Sequence, residues 1–485
     1  MARQIKTGRT PEQRSTDAKK ARDIVSTILE HIEIRGETAL REISEKFDHW
    51  NPTSFRLPEQ EIDHCLAQKP TIKVPDSGRR RVLTTVSTVA LAAVHSALAG
   101  GKESRASVDS PGAIPGPRPD KKVRICVVGG GFGRSFYWSD HPDCEVTAVS
   151  ELRDDRRQLL VEKYRCNKTY GDFHEMLGDS NVDAVAMFTP APQHVKDCVD
   201  VLNAGKHVVC AVPAAFTLEE CQTLVDTVKK TGLTYMQAET GCYHASTMTA
   251  YELARQGKFG TIYYTQAEYL HDMGDAHKGG KPSGLLYYQG QRTWRYGYPP
   301  AKYPTHAAGP VIFVTDDPMT EVAALGWAPK DNPFADNPYH NRFDDITFLA
   351  KTKKGNASRI AIHHCFGGHD DIAERAEYWG SDMVFLEPRF GTPALMSREG
   401  EDLKPVPPDD HTDLLPPNLR EFVKVGHGGA EVFITHEFVR ALAEGRRPKT
   451  DVYQGVAYCA PGICAFDSSN RDGEWVKVPD FGWHS

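Results

Sequence analysis

Residues Val123–Arg157 read VRICVVGGGFGRSFYWSDHPDCEVTAVSELRDDRR. The run Val123 to Val128 predicts a continuous apolar strand; a glycine cluster follows, then a predicted helix and a second strand, Glu145 to Val149. This strand, turn, helix and strand form the context of a dinucleotide fingerprint: Gly129 permits the tight turn, and Gly131 lets the backbone approach a pyrophosphate at the helix N-terminus. Arg134 stands where the third glycine is expected and Gly133 lies one place early, so either the helix starts differently or Arg134 contacts phosphate. Phe132, Gly133 and Arg134 join Gly129 and Gly131 as candidate cofactor residues. Glu151 closes the second strand, where an acid accepts ribose hydroxyls and repels a 2'-phosphate, which favours NAD over NADP.

Downstream, NVDAVAMFTPAPQH predicts a strand ending at Thr189-Pro190 with His194 opening a helix, and NAGKHVVCAVP predicts another strand. Thr217, followed by Glu219 and Glu220, opens the next helix as its N-cap. With the fingerprint, the TPxxxH and AGKHV patterns resemble the Gfo/Idh/MocA oxidoreductases from about Lys122 to His484. The resemblance implies an α/β fold: a Rossmann NAD-binding domain over residues 122–238, then an α/β substrate domain over 239–485 with an open, mainly antiparallel sheet. It also adds Thr189, Pro190 and His194 to the cofactor site.

In that family's dehydrogenases the strand after AGKHV ends in EKP, and its Lys helps polarise the reacting hydroxyl; here the residues are Ala211-Val212-Pro213. Valine neither donates nor accepts a proton, so the chemistry must fall elsewhere. AETGCY (Ala238–Tyr243), EYLHD (Glu268–Asp272), TWRYGYPPAKYPTHAAGP (Thr293–Pro310) and the VPAA stretch resemble the branch that includes glycoside hydrolase family 109. Such enzymes keep NAD bound, oxidise a sugar hydroxyl, eliminate the glycosidic substituent, add water and reduce the ketone again; the ketone acidifies the neighbouring C–H. The resemblance points to His306 and Tyr243 as catalytic residues, with His271 and Lys302 as further candidates and Trp294 and Tyr303 as stacking surfaces.

Other readings follow from the residues themselves. His363, His364 and His369 are close in sequence, but neighbours on a strand point to opposite faces, so no metal site is expected. Cys242 has no base at a diagnostic spacing, and the 11 cysteines form no CxxC pair, which suits reduced, buried thiols. The HGG stretch at His427–Gly429 precedes a C-terminal helix and reads as a simple turn, with lining of the pocket as the alternative. A net charge of -7 without a basic run argues against a nucleic-acid partner and for a small-molecule substrate. The family resemblance implies that this is a carbohydrate or polyol, with NAD-dependent oxidation or redox-neutral glycoside cleavage as the outcome.

The N-terminal portion is of a different kind. RGETALREISEKFD, within a helical appendage at 1–76, resembles the start of histidinol dehydrogenase. Residues 77–101, with Arg79–Arg81 before an apolar run ending Ala97-Leu98-Ala99, look like an internal twin-arginine signal rather than a stable membrane insertion, and 102–121 read as a linker. A functioning signal implies the periplasm; otherwise the cytoplasm is expected. A homo-oligomer is expected from the family resemblance, and a non-catalytic nucleotide- or sugar-binding protein is the alternative to an enzyme.

Overall fold

Six strands build the first layer: β1 (Val123–Val128), β2 (Cys144–Ser150), β3 (Thr169–Tyr170), β4 (Ala184–Met187), β5 (His207–Cys210) and β6 (Tyr235–Gln237). The structure is a computed structural model that describes residues 122–273, 285–332, 334–364, 373–389, 391–407 and 409–483. The expectations for residues 1–76, 77–101 and 102–121, and for His369, lie outside the described residues. All six strands run parallel in the order β3-β2-β1-β4-β5-β6. Parallel neighbours need crossovers, supplied by α1 (Asp154–Tyr164), α2 (Phe173–Met176), α3 (His194–Asn203) and α4 (Leu218–Thr231). The order reverses between β1 and β4, which opens a crevice at the carboxyl ends of those strands.

Local sequence sets the element ends. Thr217 accepts a hydrogen bond from Glu220 N (3.2 Å) and Glu220 Oε2 accepts one from Thr217 N (3.1 Å), a capping box that contributes about 1 kcal/mol. Gly232, at φ 66°, ends that helix. The helix expected after the glycine cluster is instead two short 3-10 turns, Phe132–Ser135 and Trp138–Asp140. Phe136 and Trp138 are both fully buried and stack at 5.6 Å, and residues two apart cannot share a face of an α-helix.

The second layer follows α5 (Ala245–Arg255). It holds β7 (Ile262–Leu270), a short hairpin of β8 (Tyr287–Tyr288) and β9 (Gln291–Arg292), then α6 (Thr305–Thr315). β10 (Met319–Trp327), β11 (Asp345–Thr352), β12 (Ala357–His363), β13 (Ala373–Gly380), β14 (Met383–Leu386), β15 (Leu395–Arg398) and β16 (Lys404–Pro405) follow. The chain ends with α7 (Ala430–Glu444), α8 (Val452–Ser469) and β17 (Val476–Lys477). The large sheet has the order β16-β15-β14-β13-β7-β12-β11-β10-β17 and is antiparallel except where β12 meets β7.

Every residue of α6 is buried, as expected of a helix apolar on all sides. It packs on β7, β13, α5 and α8, and one continuous core joins Val123 and Ile125 of the first sheet to Ile360 and Tyr378 of the second. The cysteines of the described residues are free and buried. No helix among the described residues is long and apolar enough to cross a membrane.

Candidate active site

The cofactor turn is built by exclusion. Gly129 has φ 99°, and a Cβ there would lie 2.4 Å from Phe188 O; at Gly130 a Cβ would lie 2.7 Å from Arg156 O. Both positions therefore require glycine. Gly131 faces open space, with only the Arg156 guanidinium 3.8 Å from an added Cβ, so a pyrophosphate can reach its backbone. Glu151 Oε2 accepts from Gly130 N (2.6 Å) and Oε1 from Arg153 N (3.0 Å), which ties the turn to the end of β2 and leaves lone pairs for ribose hydroxyls. Phe132 meets Phe136 and Phe188 edge-on, Gly133 is buried against Phe188, and Arg134 is exposed. The residues present fit a dinucleotide.

His194 stands differently from the sequence reading. Its Nδ1 lies 2.8 Å from Pro213 O and its Nε2 2.8 Å from Thr189 O. Carbonyl oxygens only accept, so both ring nitrogens donate and the ring is an imidazolium. Burial opposes that charge, but Cys210 and the two carbonyls outweigh it and push the pKa up to about 9. With both nitrogens committed and 1% of the residue exposed, His194 holds no cofactor atom; it clamps the loops after β4 and β5. The Thr189 hydroxyl is likewise engaged, donating to Asp197 Oδ2 (2.7 Å), while Pro190 is exposed at the loop.

Across the crevice, His306 is the second residue of α6 and 8% exposed. Its Nδ1 lies 2.7 Å from Glu239 Oε1 and 3.7 Å from Glu374 Oε1. Glu239 arrives just after β6, where its Oε1 also accepts from Gly241 N (2.8 Å), capping the 3-10 turn Thr240–Tyr243. Glu374 comes from β13. Burial works against charge on His306, yet the two carboxylates prevail and raise its pKa to about 10, while the imidazolium in turn holds Glu239 low against its own burial. Glu239 Oε2 and Glu374 Oε2 are buried without a hydrogen-bond partner, and His306 Nε2 makes no hydrogen bond among the described residues. The three side chains bring their donor atoms within 4.8 Å of one another, a spacing that also suits a metal ion; without one, the 2.7 Å Nδ1–Oε1 contact is a hydrogen bond.

Aromatic residues wall this cluster. Tyr269 stacks obliquely on His306 at 4.7 Å, and its hydroxyl lies 2.6 Å from His271 Nδ1. His271 thus lies beside the cluster, held neutral by burial and by the Arg295 and His306 charges, which push its pKa down to about 4. Tyr303 faces His306 at 5.3 Å and accepts a hydrogen bond from Arg295 (3.2 Å), whose guanidinium also covers Trp294. His363 and His364 diverge as predicted: one lies 4.0 Å from Asp345 and the other packs edge-on to Tyr269.

Two expected residues lie elsewhere. Lys302 ends a short 3-10 turn and points its ammonium at the Phe216 ring, 3.8 Å from the centroid, because the apolar Phe216 and Phe466 faces hold it. Tyr243 is 3% exposed, with its hydroxyl 3.4 Å from Thr450 Oγ1 and its ring near Phe313, so packing rather than a hydrogen bond to His306 fixes it. Glu239 and Glu374, in contrast, were not anticipated.

Family comparison resolves what the geometry outlines. Residues 123–239 match the oxidoreductase family, NAD-binding Rossmann fold (Gfo/Idh/MocA), and residues 418–484 match the glycosyl hydrolase 109 C-terminal domain. The chain joins a Gfo/Idh/MocA NAD-binding domain to a GH109 C-terminal domain. It is an NAD-dependent enzyme of the oxidoreductase fold. A glycosyl hydrolase family 109 protein of Streptomyces coelicolor is 27% identical over 447 residues, covering 80% of this chain and 92% of that protein. The α-N-acetylgalactosaminidase of Shewanella oneidensis is 26% identical, covering 64% of this chain and 71% of that one. Solved structures share the fold: an oxidoreductase domain protein from Kribbella flavida (TM-score 0.61, 20% identity, 74% of this chain and 100% of that one) and a levoglucosan dehydrogenase with NADH and levoglucosan (TM-score 0.61, 18% identity, 74% and 100%). The GH109-type segment includes α7, which packs on the turn Thr240–Tyr243, and α8, which packs on β6.

Proposed function

We propose that the protein is a glycoside hydrolase that recycles its NAD: a sugar hydroxyl is oxidised, the glycosidic bond is cleaved by elimination, water adds, and the ketone is reduced. The observation that carries this reading is the buried His306–Glu239 pair at 2.7 Å, with Glu239 just past the carboxyl end of β6 in the NAD-binding sheet. The GH109-type C-terminal domain and the relatives named for that family favour hydrolysis over net oxidation. Bound NAD supplies hydride acceptance and return.

Glu239 holds the Nδ1 proton of His306, which leaves Nε2 to meet the substrate hydroxyl. The carboxylates keep the ring protonated at rest, so Nε2 first releases its proton to solvent; it then takes the hydroxyl's proton as the ketone forms, and Glu239 with Glu374 stabilises the imidazolium until that proton is given back. This replaces the lysine role that Val212 cannot fill. Tyr269 orients His271 beside the ring, while Trp294 and Tyr303, both beneath the Arg295 guanidinium, form the aromatic wall next to it.

The test is cleavage of a glycoside panel, headed by α-N-acetylgalactosaminides because one relative carries that name, with cofactor absorbance followed throughout. Sugar release without accumulation of NADH is expected. Steady NADH formation from free sugars, with no glycoside cleaved, would show a dehydrogenase instead.

A further inference from the structure

A second histidine–glutamate pair stands beside the first. Residues 426–429 read Gly-His-Gly-Gly, and the three glycines have φ 65°, 60° and 85°. A Cβ on Gly426 would lie 2.7 Å from Glu431 Oε1, and one on Gly429 would lie 2.2 Å from Val423 O, so this turn presents one side chain, His427. His427 Nδ1 lies 2.5 Å from Glu431 Oε1, and its backbone N donates to Glu431 Oε2 (3.1 Å). The glutamate side chain is 1% exposed while the histidine is 40% exposed. Nε2 of His427 makes no hydrogen bond among the described residues.

Its surroundings place this imidazole at the mouth of the site. The ring meets Phe132 of the cofactor turn edge-on at 5.4 Å. On the other side, a Cβ on Gly428 would lie 4.0 Å from His244 Cδ2; His244 Nε2 is 3.6 Å from Glu374 Oε2, and Glu374 is the carboxylate beside His306. The turn therefore sits between the cofactor's glycines and the His306 cluster.

We propose that His427 is the general acid–base at the leaving-group oxygen of the glycoside, with Glu431 as its positioning residue. This rests on the hydrolytic reading above. One imidazole pinned at Nδ1 offers a single Nε2, and the hydroxyl being oxidised and the glycosidic oxygen sit on different ring carbons, so the leaving-group oxygen needs a proton carrier other than His306. In the elimination, a base removes the C–H proton beside the ketone and the freed pair forms the C=C bond. The C1–O bond breaks with its electrons going to oxygen, and that oxygen takes the Nε2 proton of His427. In hydration the order reverses: water gives a proton to Nε2 as its oxygen bonds to C1, and the carbon beside the ketone regains a proton. No oxidant is consumed, because the hydride removed at the start returns at the end. Glu431 favours the imidazolium and raises the His427 pKa, which suits an acid at neutral pH.

The test compares full-length protein and its His427→Ala variant on glycosides of one sugar with aryl and alkyl leaving groups. A 4-nitrophenyl group departs without protonation, so in a single turnover read at leaving-group release, before hydration, a loss of less than about threefold is expected there, against about 100-fold or more on the methyl glycoside, with added imidazole restoring part of the latter. An equal loss on both substrates, or no loss on either, would overturn the role. If the unmodified protein cleaves neither glycoside, the hydrolytic reading itself fails and this role falls with it.

Discussion

The two faces of the crevice handle their polar atoms in opposite ways. On the cofactor side the polar groups are spent on the protein: His194 on two carbonyls, Thr189 on Asp197, and Glu151 on Gly130 and Arg153. On the substrate side they are left open: among the described residues His306 Nε2, Glu239 Oε2, Glu374 Oε2 and His364 Nε2 have no hydrogen-bond partner. Unpaired buried polar groups cost stability, roughly 1–3 kcal/mol each, so the substrate side holds free energy that a bound sugar's hydroxyls can release. The cofactor side spends its polar groups on a fixed shape; the substrate side reserves its own for the reaction.

Removing the acid–base should have the largest effect. His306→Asn is expected to lower kcat by about 100- to 10,000-fold while bound NAD is retained, measured by glycoside cleavage alongside cofactor absorbance of the purified variant. A fall in NAD retention instead of kcat would blur the division between the two faces. Second, Gly129→Ala is expected to strip NAD and to cost about 1–3 kcal/mol, because the methyl group meets Phe188 O and a residue other than glycine is strained at φ 99°. Loss of bound cofactor with a lowered Tm checks this.

The smallest effect expected is on pH dependence. His194 has a folded pKa raised from 6.5 to about 9, so its contribution to stability is complete below about pH 6.5 and is lost as pH rises through about 9, when one carbonyl loses its donor. His306 titrates in the same sense near 10, so the measurement belongs in the His306→Asn background. There, Tm should still fall between pH 7 and about 10, and His194→Gln should flatten the fall.

The same contrast explains what could be read from sequence. β1, β2, Glu151 and the Thr217 cap are local patterns in which a continuous apolar run, an acid at a strand end or a Thr-x-x-Glu box carries its own geometry. His306 was legible from the YPTH turn and its family resemblance. Glu239 and Glu374 meet His306 from segments distant in the chain, and such convergence leaves little local trace. There were two signals: Glu239 is an acid directly after a Rossmann strand, and Glu374 shares a strand face with the fully buried Ala376 and Tyr378. His194 and Lys302 were placed by motif, but which way each side chain turns depended on carbonyls and aromatic rings from other elements.

The central claim, redox-neutral cleavage with proton traffic through His306, is tested most directly by running the glycosidase reaction in D2O without added NAD. The released sugar should carry deuterium at the carbon next to the oxidised one, with no NADH accumulating and multiple turnovers per protein. Sugar released without deuterium, or NADH formed in step with product, would contradict it.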